Sequence, residues 1–118
     1  MASLGMNGPY EFTSEKVDEI ITKTSPGNYA LGYMDGNTFI VRYVGRSDSD
    51  LNDRIKDHLG ESREYKFFKY SYASSPREAY EKECQNWHDF DGPNGKLKNS
   101  NHPDKPDDTN YKCPVCKQ

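Results

Sequence analysis

The chain predicts an α/β domain of the α+β type: a small central antiparallel β-sheet of about three strands, flanked by helices. Three observations predict it. Two strand-like runs, Asn28 to Met34 and Thr38 to Val44, the second carrying β-branched and aromatic residues, flank Asp35-Gly36-Asn37, a tight-turn signal that makes them a β-hairpin. A third run, Lys66 to Ala73, alternates Phe68, Tyr70 and Tyr72 with Phe67, Lys69 and Ser71, which gives a strand with one aromatic face. Around these runs lie stretches with apolar residues three and four apart, the spacing of amphipathic helices. The 118 residues suit one domain.

In chain order, residues 1–13, with two glycines and a proline, read as a flexible lead-in, and residues 14–118 as the single domain. Val17, Ile20 and Ile21 share a face of a short helix over 14–24, which Ser25-Pro26-Gly27 breaks. After the hairpin, Leu51, Ile55 and Leu59 predict a helix from about Ser49 to Leu59, with Gly60 as its C-terminal cap. Arg54 and His58 are four apart and share one edge of it. Ser75-Pro76-Arg77-Glu78 is a capping box that opens a helix running to about Phe90. Its inward stripe is Tyr80, Glu83, Trp87 and Phe90. Glu83 is the anomaly there, because a carboxylate on an apolar stripe is costly to bury unless it is paired or holds a cation. Residues 92–118 hold four of the seven prolines and no periodicity, so they read as an irregular tail that something must pin down.

The net charge of −3 argues against a stand-alone nucleic-acid binder, which is usually basic. Arg42, Arg46, Arg54, Lys56, Arg63, Lys66 and Lys69 nevertheless concentrate mid-chain and leave room for a local basic patch. No apolar run reaches the ~20 residues of a membrane span, and no signal-peptide core is visible, so a cytoplasmic location is expected. Three cysteines, an odd number, favour metal or thiol chemistry over a disulfide framework. Cys84 and His88 are four apart on one helix, and Cys113-Pro114-Val115-Cys116 forms a knuckle. Together they make a Cys₃His set for a structural zinc ion that ties the tail to the helix, with His102 as rival to His88. The bland reading is a buried filler cysteine and a redox or disordered end.

The strand-to-helix corner Tyr43-Val44-Gly45-Arg46, followed by Arg54 and His58, gathers side chains that orient a nucleophile, move a proton and neutralise phosphate charge. With Gly27-Asn28-Tyr29 as first motif and Tyr43-Val44-Gly45 as second, over roughly residues 25–101, the pattern resembles the GIY-YIG nuclease domain family. Asn28 stands where that family usually has an aliphatic residue. The resemblance implies a divalent-metal-dependent endonuclease, a hydrolase that cuts DNA phosphodiesters. Tyr29 and Tyr43 would be its catalytic tyrosines, Arg46 and Arg54 its basic residues, and His58 the residue beside them. Glu83 would hold Mg²⁺ or Mn²⁺, and Asn99, with Asn94 and Asn101 as competitors, would fill the family's asparagine position. DNA is the implied partner, with a partner protein as a source of DNA specificity. Taken singly, Tyr29 and Tyr43 read as packing residues, Arg54 and His58 as a solvated helix edge, Glu83 as half of an ion pair and Asn99 as a turn residue. The rival reading is a non-catalytic nucleic-acid or protein-interaction module on the same fold, with the structural zinc.

Overall fold

The hairpin forms as its residues require. In the computed structural model, which describes residues 6–61, 63 and 65–89, strand β2 (Gly27–Asp35) and strand β3 (Thr38–Ser47) pair antiparallel from Gly27↔Ser47 to Asp35↔Thr38. Gly36 takes φ +61 in the two-residue turn, a conformation glycine adopts freely. The ladder shifts between Leu31↔Tyr43 and Gly32↔Val41, so Arg42 is an extra residue on β3.

The remaining elements are β1 (Asn7–Glu11), α1 (Ser14–Ile20), α2 (Leu51–Lys56), β4 (Phe67–Tyr72) and α3 (Pro76–Asp89). The sheet is antiparallel and four-stranded, ordered β1-β4-β2-β3. This corrects the lead-in expected over residues 1–13, which supplies an edge strand. Gly8-Pro9 looks like a breaker, but on an edge a proline's missing N–H costs no ladder bond, and the register shifts between Asn7 and Tyr10 to accommodate it. Tyr10 then packs on Phe68, ring centroids 5.6 Å apart.

Both early helices are shorter than predicted. Thr13 caps α1 through Lys16 N–H, and α1 stops at Ile20 because Ile21 turns extended and puts its side chain in the core. Asp50 caps α2 through Asp53 N–H, and the turn after α2 ends at Gly60, φ +80. His58 therefore lies past the last helical residue, in a turn where its N–H donates to Ile55 O, and does not share a helix edge with Arg54. For α3, Glu78 N–H donates to Ser75 Oγ as the capping box predicts, but the Glu78 carboxylate reaches one residue further back, to Ser74 N–H and Oγ–H.

One side of the sheet carries the larger core, in which Val17, Ile21, Tyr29, Leu31, Leu51, Ile55 and Phe68 are packed under α1 and α2. The other side holds a smaller cluster of Ala30, Val41, Val44 and Trp87. There α3 is fastened to β2 by Asn28 Nδ2–H donating to Ala79 O at 2.8 Å. That bond explains a polar residue at position 28, which is fully buried. Tyr80, Glu83 and Trp87 are buried as the stripe predicts, and Phe90 lies outside the described residues. No helix among the described residues is long and apolar enough to cross a membrane.

Candidate active site

The register of β2 and β3 builds the site. Tyr29 pairs with Gly45 and Leu31 with Tyr43, so the two tyrosines project from the same face and their rings lie near-parallel, centroids 6.2 Å apart. Any Cβ at position 45 would run into the ring and hydroxyl of Tyr29, so only glycine allows the tyrosine to lie across β3. A cavity of about 260 Å³ opens here, walled by Tyr29, Tyr43, Arg46, Asp48, Arg54 and Glu83 with Gly45 and Ser47. Elements distant in the chain, β2, β3, α2 and α3, converge on it.

The first wall is a chain of hydrogen bonds. Tyr29 Oη and His58 Nε2 are 2.7 Å apart, and His58 Nδ1 is 2.8 Å from Glu61 Oε1. A carboxylate only accepts, so Nδ1 carries a proton toward Glu61; in the imidazole form Nε2 is then the acceptor and the Tyr29 hydroxyl donates to it. The imidazole lies among the rings of Tyr29, Tyr43 and Tyr65, at 5.5, 4.7 and 6.3 Å. Burial pushes the Tyr29 hydroxyl well above the usual tyrosine range, with Tyr43 adding to the rise and Arg54 opposing it. Burial likewise raises Tyr43. Both are phenols at neutral pH.

The second wall is charged. Arg46 Nη1 donates to Glu83 Oε1 at 2.6 Å, and Arg46 Nε to Asp48 Oδ1 at 2.9 Å. The guanidinium also lies 5.1 Å from the centre of the Tyr80 ring. Glu83 is 8% exposed, and burial raises its carboxyl above the ordinary value although Arg46 pulls it down. For Arg46, burial works against the charge, but the carboxylates of Asp48 and Glu83 outweigh it and hold the guanidinium charged. Arg54 is exposed at the rim and, among the described residues, makes no ion pair.

The donor set fits a hard divalent cation. Mg²⁺ and Mn²⁺ favour oxygen ligands, and Mg²⁺ keeps several waters and commonly takes one or two carboxylates beside substrate phosphate. Glu83 lines the cavity and Asp48 stands on the same wall. Among the described residues no group of three or more His, Cys, Asp or Glu side chains is placed to hold a metal, so an all-protein cage is not what this cavity offers.

Of the residues expected from the sequence, Tyr29, Tyr43, Arg46, Arg54 and Glu83 meet at the cavity, with His58 behind Tyr29. Asn94, Asn99 and Asn101 lie outside the described residues, as do His102, Cys113 and Cys116. Cys84 is fully buried beside Tyr80, and His88 follows it one turn later on α3. Sequence reasoning passed over Asp48, Glu61 and Tyr65. Glu61 is three residues after His58, a spacing that becomes a contact only because the chain turns there rather than continuing as helix.

Comparison of the chain with family models, curated proteins and solved structures finds no match for it.

Proposed function

We propose that this protein is a divalent-metal-dependent endonuclease that hydrolyses DNA phosphodiester bonds, in the manner of the GIY-YIG family its motifs resemble. The observation that carries the reading is the convergence of two tyrosines, two arginines and a buried glutamate from four separate elements on one cavity. Packing alone gives no reason to bury Glu83 and Arg46 at a cavity wall.

In this reading Arg54, exposed at the rim, meets the scissile phosphate and balances the charge that grows on its oxygens. Tyr29 donates its own proton to His58, so its oxygen lone pairs remain to accept a hydrogen bond from the attacking water. As the water loses its proton, Tyr29 takes it up while passing its own to His58 Nε2, and the imidazolium is stabilised by Glu61. This route needs no free phenolate, which the buried Tyr29 would form only at high pH. Tyr43 stacks alongside and narrows the water's position. Glu83, shared with Arg46, would hold the metal. When bound, that ion supplies Lewis-acid stabilisation of the phosphate and the departing 3′ oxygen. A structural zinc on Cys84, His88, Cys113 and Cys116 belongs to the same proposal, supported by the one-turn spacing of Cys84 and His88 on α3. Elemental analysis of the purified chain tests it, and a chain without zinc sinks it.

The test of function is nicking of supercoiled plasmid with Mg²⁺ or Mn²⁺, wild type against Glu83→Ala. Metal-dependent nicking that the variant loses supports the enzyme. A folded wild type that binds DNA without cutting it under any metal supports the interaction module instead. One observation favours that rival: Arg46 and Glu83 already satisfy each other.

A further inference from the structure

A second cavity, of about 460 Å³, lies further along β2 and is walled by Tyr33, Met34, Arg63, Lys66 and Phe67. It exists because β2 outruns β4. Their pairing stops at Gly32↔Phe67, and Lys66 N–H makes a last bond to Gly32 O at 2.8 Å, so the edge of β2 beyond that point is left without β4. The connection from α2 to β4 then crosses between the two cavities. It carries His58 and Glu61 at the first and Arg63 and Lys66 at the second.

The chemistry of the lining is specific. Tyr33 and Phe67 are half-buried rings, with polarisable Met34 beside them. Arg63 and Lys66 are exposed, and among the described residues neither is in an ion pair. Among the described residues, no acidic side chain lines the cavity. A binding partner for this lining offers flat apolar surface and negative charge in alternation, as a nucleic-acid strand does. Position agrees. Tyr33 is four residues beyond Tyr29 on β2, about 13 Å at ~3.3 Å per residue, and alternation puts it on the same face. That separation is about four nucleotide steps at ~3.4 Å each.

The geometry points to this cavity as a second DNA subsite that holds the strand flanking the cut, about four nucleotides from it. A base stacks on Tyr33 or Phe67, and Arg63 and Lys66 pair with the neighbouring phosphates. The inference rests on the nuclease reading of the first cavity and explains how an acidic chain grips its substrate, through cations gathered on one track.

The test is fluorescence anisotropy of a labelled duplex oligonucleotide in metal-free buffer at several salt concentrations, so that binding is read without cleavage. The chains are wild type, Arg63→Ala/Lys66→Ala, Tyr33→Ala and the charge-conserving Arg63→Lys/Lys66→Arg, with Lys16→Ala/Lys23→Ala as a control placed on and just after α1. Circular dichroism confirms that each folds. Removing both cations is expected to weaken binding at least tenfold near 0.15 M salt and to reduce the log–log salt slope by about 1.8, two phosphate contacts at ~0.9 each. On the same duplex extended by a single-stranded flank, whose bases are free to stack, Tyr33→Ala is expected to weaken binding about tenfold at unchanged slope. The charge-conserving pair retains affinity, as does the control. Equal affinity and slope for wild type and Arg63→Ala/Lys66→Ala overturn the subsite, even where wild type nicks plasmid and the nuclease reading stands. Loss of binding in that variant, with no metal-dependent nicking by wild type, keeps this cavity as a DNA contact but sinks the nuclease and with it the placement beside a cut. A wild type that neither binds nor cuts overturns both.

Discussion

The two walls of the cavity are built from opposite materials. The wall on the α2 side is a chain of hydrogen bonds, Tyr29 to His58 to Glu61, surrounded by aromatic rings, with Arg54 exposed at its rim. The wall on the α3 side is an ion-paired group, Glu83 with Arg46 and Asp48. Burial acts on both but with different results. On the first wall it keeps a phenol protonated and able to pass a proton on. On the second it raises the Glu83 carboxyl while Arg46 pulls it down. The difference teaches that one wall is suited to move a proton and the other to hold charge.

The largest expected effect breaks the first wall at its head. Tyr29→Phe removes the hydroxyl and leaves His58 Nε2 without that donor. Nicking should fall by about 10²–10⁴, the range of a lost acid–base group, with little change in metal affinity. Nicking at the wild-type rate would show that the tyrosine only packs. On the rim of the same wall, Arg54→Ala should lower nicking by about 10²–10³ and leave the melting temperature almost unmoved, since the residue is exposed. A variant that cuts normally places the phosphate elsewhere.

A structural effect comes next. Gly45→Ala drives a methyl group into Tyr29, and β3 cannot give way without losing its ladder with β2. The overpacking should cost about 1–3 kcal/mol in denaturant unfolding and displace Tyr29 from His58. An unchanged midpoint would mean that the tyrosine is not confined.

The smallest effect sharpens the second wall. Burial raises the Glu83 carboxyl above its ordinary value near 4.5. Across the window upward from that value the folded chain holds a proton that the unfolded chain has released. The contribution of Glu83 to stability is therefore greatest below the window and falls as pH rises through it. Melting curves in metal-free buffer should show this decline for wild type and a flatter profile for Glu83→Gln. Added Mg²⁺ should stabilise wild type most where Glu83 is ionised and leave the Gln variant unmoved. Identical pH profiles would mean that Arg46 fully compensates the burial.

Much of the fold was legible. The hairpin came from Asp35-Gly36-Asn37 between two strand-like runs and α3 from Ser75-Pro76, because each signal is local chemistry: a positive φ, a cap, a fixed proline torsion. Gly60 takes a positive φ, but it ends a turn past α2 and not the helix it was expected to cap. The edge strand β1 was not legible, because Gly8-Pro9 argues against a strand everywhere except at an edge, and being at an edge is a property of the assembled sheet. In the site, Glu83 announced itself as a charge on an apolar stripe, and Tyr43, Arg46 and Arg54 stood around one corner. Glu61 and Asp48 did not, since an exposed acid in a turn looks like any other until its neighbour is placed.

The sequence by itself determined every element but the edge strand β1, though not all of their ends, and which residue types could do chemistry, because helix and strand periodicity and turn torsions are written in spans of a few residues. Only the tertiary structure decided that Tyr29 reaches His58 across Gly45, that Arg46 closes on Glu83 thirty-seven positions away, and that β2 extends past β4 to open a second cavity. Those outcomes depend on strand register and on where one element stops against another. They arise when the sheet is assembled, and no local stretch of chain carries them.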